Sequence, residues 1–587
     1  MRCLKIFLLA LSIFYFSDSL IGQDSLAFKL QQDNLSTIND LNVDQSFTIG
    51  PTTLRFQDML RYKLYSHETS LGGDDQYSIE HQLSSDLYPF SRRRTSIRLE
   101  SSQYQDHRTG LKSSISNWAL LAGYSPSENL TLYFGGRSVR RYGIDDRGWS
   151  ANLQTKKLWR FNTQSLGIHL GGERDQLDAH QNHHINVSGD YRIRFGRISS
   201  YESALRLDSR RQQFFTDSLG SSQLRSNENL MWNNRFTYNL SKRIKLTHAL
   251  NWGDQSTDIK RERISPSQTN TLSADERKRL VLSNETSLMT TGETISSVSS
   301  FKIENSQNKF YVDHSQVLYQ LHGELSYHPT HLIDSLTWKN TLSRQEYDTP
   351  DTNNDDDRDE WRFKTELSLV YQPTPFSRIE IGSKLSLFHL IYLFSTRSSE
   401  NYWNRNLVLW TEYDWILNAW SGKARAHIRS NYFDYDYDDL FIELDQPARS
   451  FVHRSLDLSK QVRVRLLPRW SLTSKIASRW EDEGQLDWTD FIQQISSERQ
   501  QTEFTTRLSF AYRGWLGWVG YLNHQRTTTY ASTTRGREIW KGEGPLFGVR
   551  HVLGERLYLD LDGRLISVID GDREYLLPKI FLSLVYH

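Results

Sequence analysis

Between Trp361 and Tyr371 the chain changes character at every step. Trp361, Phe363, Thr365, Leu367, Leu369 and Tyr371 make one set; Arg362, Lys364, Glu366, Ser368 and Val370 make the other. A period of two places alternate side chains on opposite faces of a strand, one apolar and one wet. The segment Gln372-Pro373-Thr374-Pro375 interrupts the pattern and cannot continue a strand ladder, so it predicts a hairpin turn. Alternation then resumes, with Ile379, Ile381, Leu385 and Leu387 set against Arg378, Glu380, Gly382 and Lys384. Aromatics close the first apolar row at both ends. A rise of about 3.3 Å per residue makes that row roughly 33 Å long. Tilted by about 45°, it climbs roughly 23 Å, close to an apolar thickness of about 25 Å that a membrane-crossing strand must span.

The same pattern recurs. Ile185, Val187, Tyr191, Ile193 and Phe195 alternate with Asn186, Ser188, Asp190, Arg192 and Arg194. Trp470, Leu472, Ile476 and Trp480 alternate with Ser471, Lys475, Ala477 and Arg479. Leu557, Leu559, Leu561 and Leu565 alternate with Tyr558, Asp560, Asp562 and Arg564. Short breaks fall near residues 90, 126, 162, 196, 241, 291, 329, 374, 420, 468, 515 and 554. Longer polar stretches separate them: Asn251 to Ala274, Asp348 to Glu360, Asn431 to Gln446, Glu481 to Ser497 and Ser532 to Gly544. Short turns on one side and long loops on the other is the asymmetry of a barrel with its short turns in the periplasm. The chain therefore resembles a bacterial outer-membrane β-barrel. The expected fold is all-β: one large antiparallel transmembrane barrel of about 22–26 strands, with 26 the best count if both termini lie in the periplasm.

The N-terminal residues carry an address. Arg2 and Lys5 precede an apolar run from Ile6 to Phe16, followed by small and polar residues, which reads as a signal peptide over 1–22. Residues 23–52 read as a short periplasmic tail or small plug, and 53–587 as the barrel. The last strand, Ile580, Leu582, Leu584 and Tyr586, resembles the C-terminal signal read by the barrel-assembly machinery, although the final residue is His587.

Composition agrees with a wall that meets lipid only at alternate residues: 37% hydrophobic, yet 12% aromatic. The net charge of +1 gives no electrostatic reason to expect nucleic acid as a partner. The only cysteine is Cys3, inside the expected signal peptide, so no disulfide or thiol chemistry is expected in the remaining chain.

The wet parity is the informative one. Arg362, Lys364, Glu366, Arg378, Glu380, Lys384, Asp190, Arg192, Arg194, Asp560, Asp562 and Arg564 are expected to face the lumen. Charge facing a dry core costs several kcal/mol per group, so this face is wet or densely paired. More than twenty strands enclose more space than side chains fill. A TonB-dependent receptor fills it with a plug of well over a hundred residues, whereas about 30 precede the first expected strand here. The architecture then resembles large plugless exporters of polysaccharide and lipopolysaccharide. That resemblance implies a channel or transporter with a wide polar lumen, closed by its loops, its tail, or a periplasmic or lipoprotein partner. The alternative is a structural or adhesive barrel that displays long extracellular loops.

Trp361, Tyr371, Trp470 and Trp480 are the expected aromatic girdle, in contact with membrane lipid and lipopolysaccharide. Asp351, Asn353, Asp355 and Asp357 match the first half of a calcium loop but lack its glycine and its final glutamate; a solvated acidic loop is the competing reading. Asp434-Tyr435-Asp436-Tyr437-Asp438-Asp439 is a second acidic stretch. His180, His183 and His184 cluster without metal-site spacing. No nucleophile motif, phosphate loop or Cys pair is present, so neither an enzyme nor a cofactor is expected.

Overall fold

The computed structural model describes residues 25–586 apart from segments at turns and loops, the longest being 66–75. The expected signal peptide lies outside the described residues. The strands, in chain order, begin with β1 (Ser25–Gln32), β2 (Ser36–Ile49), β3 (Thr52–Tyr65), β4 (Gln76–Tyr88), β5 (Thr95–Arg108), β6 (Leu111–Ser127) and β7 (Leu130–Arg141). Next come β8 (Ile144–Phe161), β9 (Gln164–Leu177), β10 (Gln181–Phe195), β11 (Ser199–Phe215), β12 (Ser221–Asn239), β13 (Ile244–Ser265) and β14 (Gln268–Thr291). They continue with β15 (Ile295–Lys309), β16 (His314–Tyr327), β17 (Ile333–Asp348), β18 (Arg358–Thr374), β19 (Ser377–Tyr392), β20 (Tyr402–Leu417) and β21 (Trp420–Tyr435). The last seven are β22 (Phe451–Leu467), β23 (Trp470–Asp487), β24 (Ile492–Tyr512), β25 (Trp515–Tyr530), β26 (Arg537–Leu553), β27 (Leu557–Asp570) and β28 (Arg573–Tyr586).

Each strand pairs antiparallel with the next, and β28 returns to β1 with Leu584 opposite Phe28, so the 28-stranded sheet closes on itself. Closure leaves no edge to satisfy, as a lipid environment requires. The 26 strands expected after residue 53 are β3 to β28. The two extra strands, β1 and β2, come from the segment expected as a tail or plug, and this corrects that expectation. Their sequence hid them. Asn39 and Gln45 interrupt the parity of Leu41 and Val43, so no clean alternation marks the strand. A round section with about 4.8 Å between strands and a tilt near 40° would be on the order of 50 Å across.

The twelve short breaks all fall at turns on one end of the barrel, and a thirteenth joins β2 to β3. Arg513 and Gly514, between β24 and β25, both have positive φ, the geometry of a two-residue turn that matches the twist of its strands. At the other end the expected long loops are largely strand. Residues 251–265 extend β13 and 268–274 begin β14, giving a hairpin with arms of 22 and 24 residues. Likewise 481–487 and 492–497 belong to β23 and β24, and 537–544 to β26. Outside the membrane a ladder needs only a neighbouring strand, so its side chains need not alternate. Among the described residues, 349–350, 355–357, 393–401, 436–438 and 449–450 lie outside the strands, and 393–401 include a single 3₁₀ turn at Ser398–Glu400.

The register carries one parity round the wall. Leu367 stands opposite Trp338 and Ser383; that row continues through Leu409, Ile428, Leu456 and Trp480. Large apolar side chains of this parity stay exposed, as at Trp338, Leu367, Ile428 and Ile476. Side chains of the other parity converge. Arg137 on β7 reaches Glu100 on β5 and Asp175 on β9, each time over an intervening strand. Convergence of that kind marks the concave inner face. A closed antiparallel sheet with an apolar outer face and a charged inner one is a transmembrane barrel of the bacterial outer membrane.

Candidate functional site

The inner wall is the candidate site. Arg362, Lys364 and Glu366 of β18 share one parity, and Glu366 stands opposite Lys339 and Lys384. Arg378 donates to Glu380 (3.3 Å), and Glu380 stands opposite Glu412, which takes Lys423 at 2.6 Å and Arg425 at 3.1 Å. On β10, Asp190 and Arg192 line a recess of about 710 Å³ floored by Gly167, Ala204 and Ala249; Arg192 pairs with Glu202 at 2.8 Å. Arg194 stands on the same parity, opposite Ser200. On β27, Asp560 pairs with Arg550 at 2.7 Å and Asp562 with Arg564 at 3.7 Å. These charges form separate groups spread round the lumen, not one constellation.

Two inner-wall clusters escape a reading by alternation. In the first, Arg98 donates to Asp86 (2.7 Å) and to the Tyr133 hydroxyl (3.0 Å), and lies 4.1 Å from that ring's centroid. Ala119, Leu121 and Tyr133 are buried beneath it. Arg137, beside it, donates to Glu173 (2.8 Å) and Asp175 (2.5 Å). The second cluster is aromatic and stands at the mouth. Tyr402 lies 5.8 Å from both Phe388 and Phe433, and Phe433 stacks on Phe451 at 4.7 Å. Arg358 covers Tyr347 at 4.2 Å. Tyr347, Arg358 and Tyr392 form one register row, three residues beyond Trp361 and outside the apolar band. Burial pushes the Tyr347 and Tyr392 phenols up. Alternation assigns aromatics to lipid and so gives no signal for inner ones; the only hint was the parity of Phe388 with Arg362.

Acidic residues at the mouth fasten loops. Asp355 accepts from the Thr396 hydroxyl (2.6 Å), Asp356 holds Arg397, and Asp357 accepts the backbone N–H (2.7 Å) and hydroxyl (2.6 Å) of Thr349. Asp351 and Asn353 lie outside the described residues. In the second acidic stretch, Asp434 pairs with Arg405 at 2.6 Å and Asp436 with His389 at 3.1 Å. Asp438 accepts the N–H groups of Arg449 (3.0 Å) and Ser450 (2.6 Å). The histidines part company: His180 is buried against Asp146 at 2.6 Å, His184 meets Asp208 at 2.9 Å, and His183 takes the other parity.

Trp361 and Tyr371 share the outer parity of β18, and Trp470 and Trp480 that of β23; Trp470 packs on Phe510 at 4.7 Å. At the level of Trp361, outward Arg344 pairs with Asp359 (2.9 Å), which puts charge where lipid headgroups begin.

No family model matches the chain, and no curated protein matches it. Among solved structures, the chain is similar to the copper transporter OprC, with a TM-score of 0.45 and 9% identity over 97% of this chain and 81% of that one. It is similar to the siderophore receptor PirA from Pseudomonas aeruginosa, with a TM-score of 0.37 and 9% identity over 79% and 88%. The FrpB iron transporter from Neisseria meningitidis gives a TM-score of 0.36 and 7% identity over 82% and 88%.

Proposed function

We propose that this protein moves a polar solute or polymer across the outer membrane through the lumen of its barrel. The observation that carries this reading is the inner wall. Charged side chains occupy it strand after strand, and among the described residues the main contacts between elements run within the wall, with no segment laid across the lumen. Such a wall keeps water, and water keeps a path open. The reading assigns no reaction to the chain; its inner charges act on what passes. A periplasmic or lipoprotein partner that closes so wide a lumen belongs to the same proposal.

One observation favours a second reading, a barrel that displays its loops. Asp356 holds Arg397 from the next loop, and Arg449 bonds the Ser399 carbonyl from the one after. A fastened surface of this kind suits display. Conductance of the purified barrel in planar bilayers separates the two. Large steps support transport; silence with the barrel folded and inserted supports display.

A further inference from the structure

The inner wall beside the closure of the barrel holds more positive charge than its own acids neutralise. There β24 to β28 frame a recess of about 490 Å³. Its lining includes Arg507, Arg550, Arg564 and Lys579, against Asp560 and Asp562. Arg550 is committed to Asp560 at 2.7 Å, and Arg564 lies 3.7 Å from Asp562. Among the described residues, neither Arg507 nor Lys579 has an acidic partner within ion-pair distance. Arg507 is held instead by Trp518, its guanidinium 5.1 Å from the ring centroid. The ring is only 8% exposed and lies flat on the wall because position 548 is glycine; a Cβ there would stand 2.0 Å from the indole. Among the described residues, the buried indole N–H has no hydrogen-bond partner.

We propose that this recess binds an oxyanion, a phosphate or carboxylate group carried by the solute that passes. The proposal rests on the lumen being wet. Two uncommitted cations in a part-enclosed wall attract counter-charge more strongly than cations open to bulk water. A guanidinium offers its planar fork to two oxygens of one anion, while the lysine adds a mobile point charge. Stacking on Trp518 pre-orders that fork and so lowers the cost of binding. The volume lies within the range of small-molecule sites, and a liquid water takes about 30 Å³, so the recess has room for an anionic group and the unit that bears it.

The test titrates the full chain in detergent with sodium tripolyphosphate, and separately with citrate, at low ionic strength by calorimetry. Binding of either is expected, and the tighter one tells phosphate from carboxylate. The pair Arg507→Gln and Lys579→Gln should weaken binding at least tenfold. Lys302→Gln, which removes one inner-wall charge on β15, should leave it within twofold. If the pair fails to show the heat-modifiable migration of a folded barrel, Lys579→Gln alone carries the test, with a loss of at least threefold. No binding by the native chain, or equal losses in Lys302→Gln and the test variants, overturns the site. The same preparations go into planar bilayers. Conductance without binding refutes the site and leaves transport standing; binding without conductance does the reverse.

Discussion

Arg137 bonds Asp175 at 2.5 Å although a whole strand, β8, runs between them. Both side chains are nearly buried, and Glu100 and Glu173 share the same guanidinium. One cation therefore holds three carboxylates from β5 and β9. Arg137→Met should leave those carboxylates facing each other, at a cost of about 3–5 kcal/mol, as when a buried pair loses one partner. The temperature at which the folded gel band converts to the unfolded one should fall. Adding Asp175→Asn should recover part of the loss; no recovery would mean that Arg137 acts by packing alone.

That reach crosses β8 at Gly148, which stands opposite Arg137 and carries no side chain. A Cβ there would stand 1.9 Å from the Gln176 carbonyl oxygen, on the strand paired with it. Gly148→Val should force β8 and β9 apart and lower the yield of folded barrel. Gly172→Val, where a Cβ meets open space, should fold normally. Equal yields from the two would show that no close approach exists at 148.

Arg397 ties the mouth together, bonding Asp356 and Glu400 and covering Tyr392. Arg397→Ala should release 393–401 from Asp356. Limited proteolysis of intact cells should then cut this loop faster, while the barrel keeps its heat-modifiable migration. An unchanged cutting rate would mean that the backbone contacts alone hold the loop.

The wall was legible from β3 onward because lipid imposes a rule on every second residue. Wherever that rule held, as from Trp361 to Tyr371, strand, turn and face could all be read. Above the membrane the rule lapses: Asp254, Asp258 and Lys260 follow Trp252 in β13 with no apolar row, and they read as loop. In β2 the rule is broken by Asn39 and Gln45. The inner clusters were illegible for a different reason. Alternation tells which face Arg98, Tyr133 and Arg137 share, but only the register and the close approach at Gly148 bring their partners within reach.

The lipid face makes a quantitative demand. Ile476 is 49% exposed and stands opposite Phe504, while Ala477 stands opposite Glu503 on the inner wall. Arg near the lipid midplane costs about 2–4 kcal/mol, and Arg on a lumen face costs little. Ile476→Arg should impair insertion, measured as folded protein recovered from membranes. Ala477→Arg should insert like the native chain. Similar recovery of the two would contradict the assignment of faces.

The most direct measurement labels those two neighbours. The chain's only cysteine is Cys3, so with Cys3→Ser in place Ile476→Cys and Ala477→Cys each supply a single thiol. In reconstituted membranes, position 476 should react with a membrane-soluble maleimide and resist a charged one. Position 477 should react with the charged reagent supplied in water. Protection of both positions from both reagents would mean a dry interior on each face, and the account of a water-filled transmembrane barrel would be wrong.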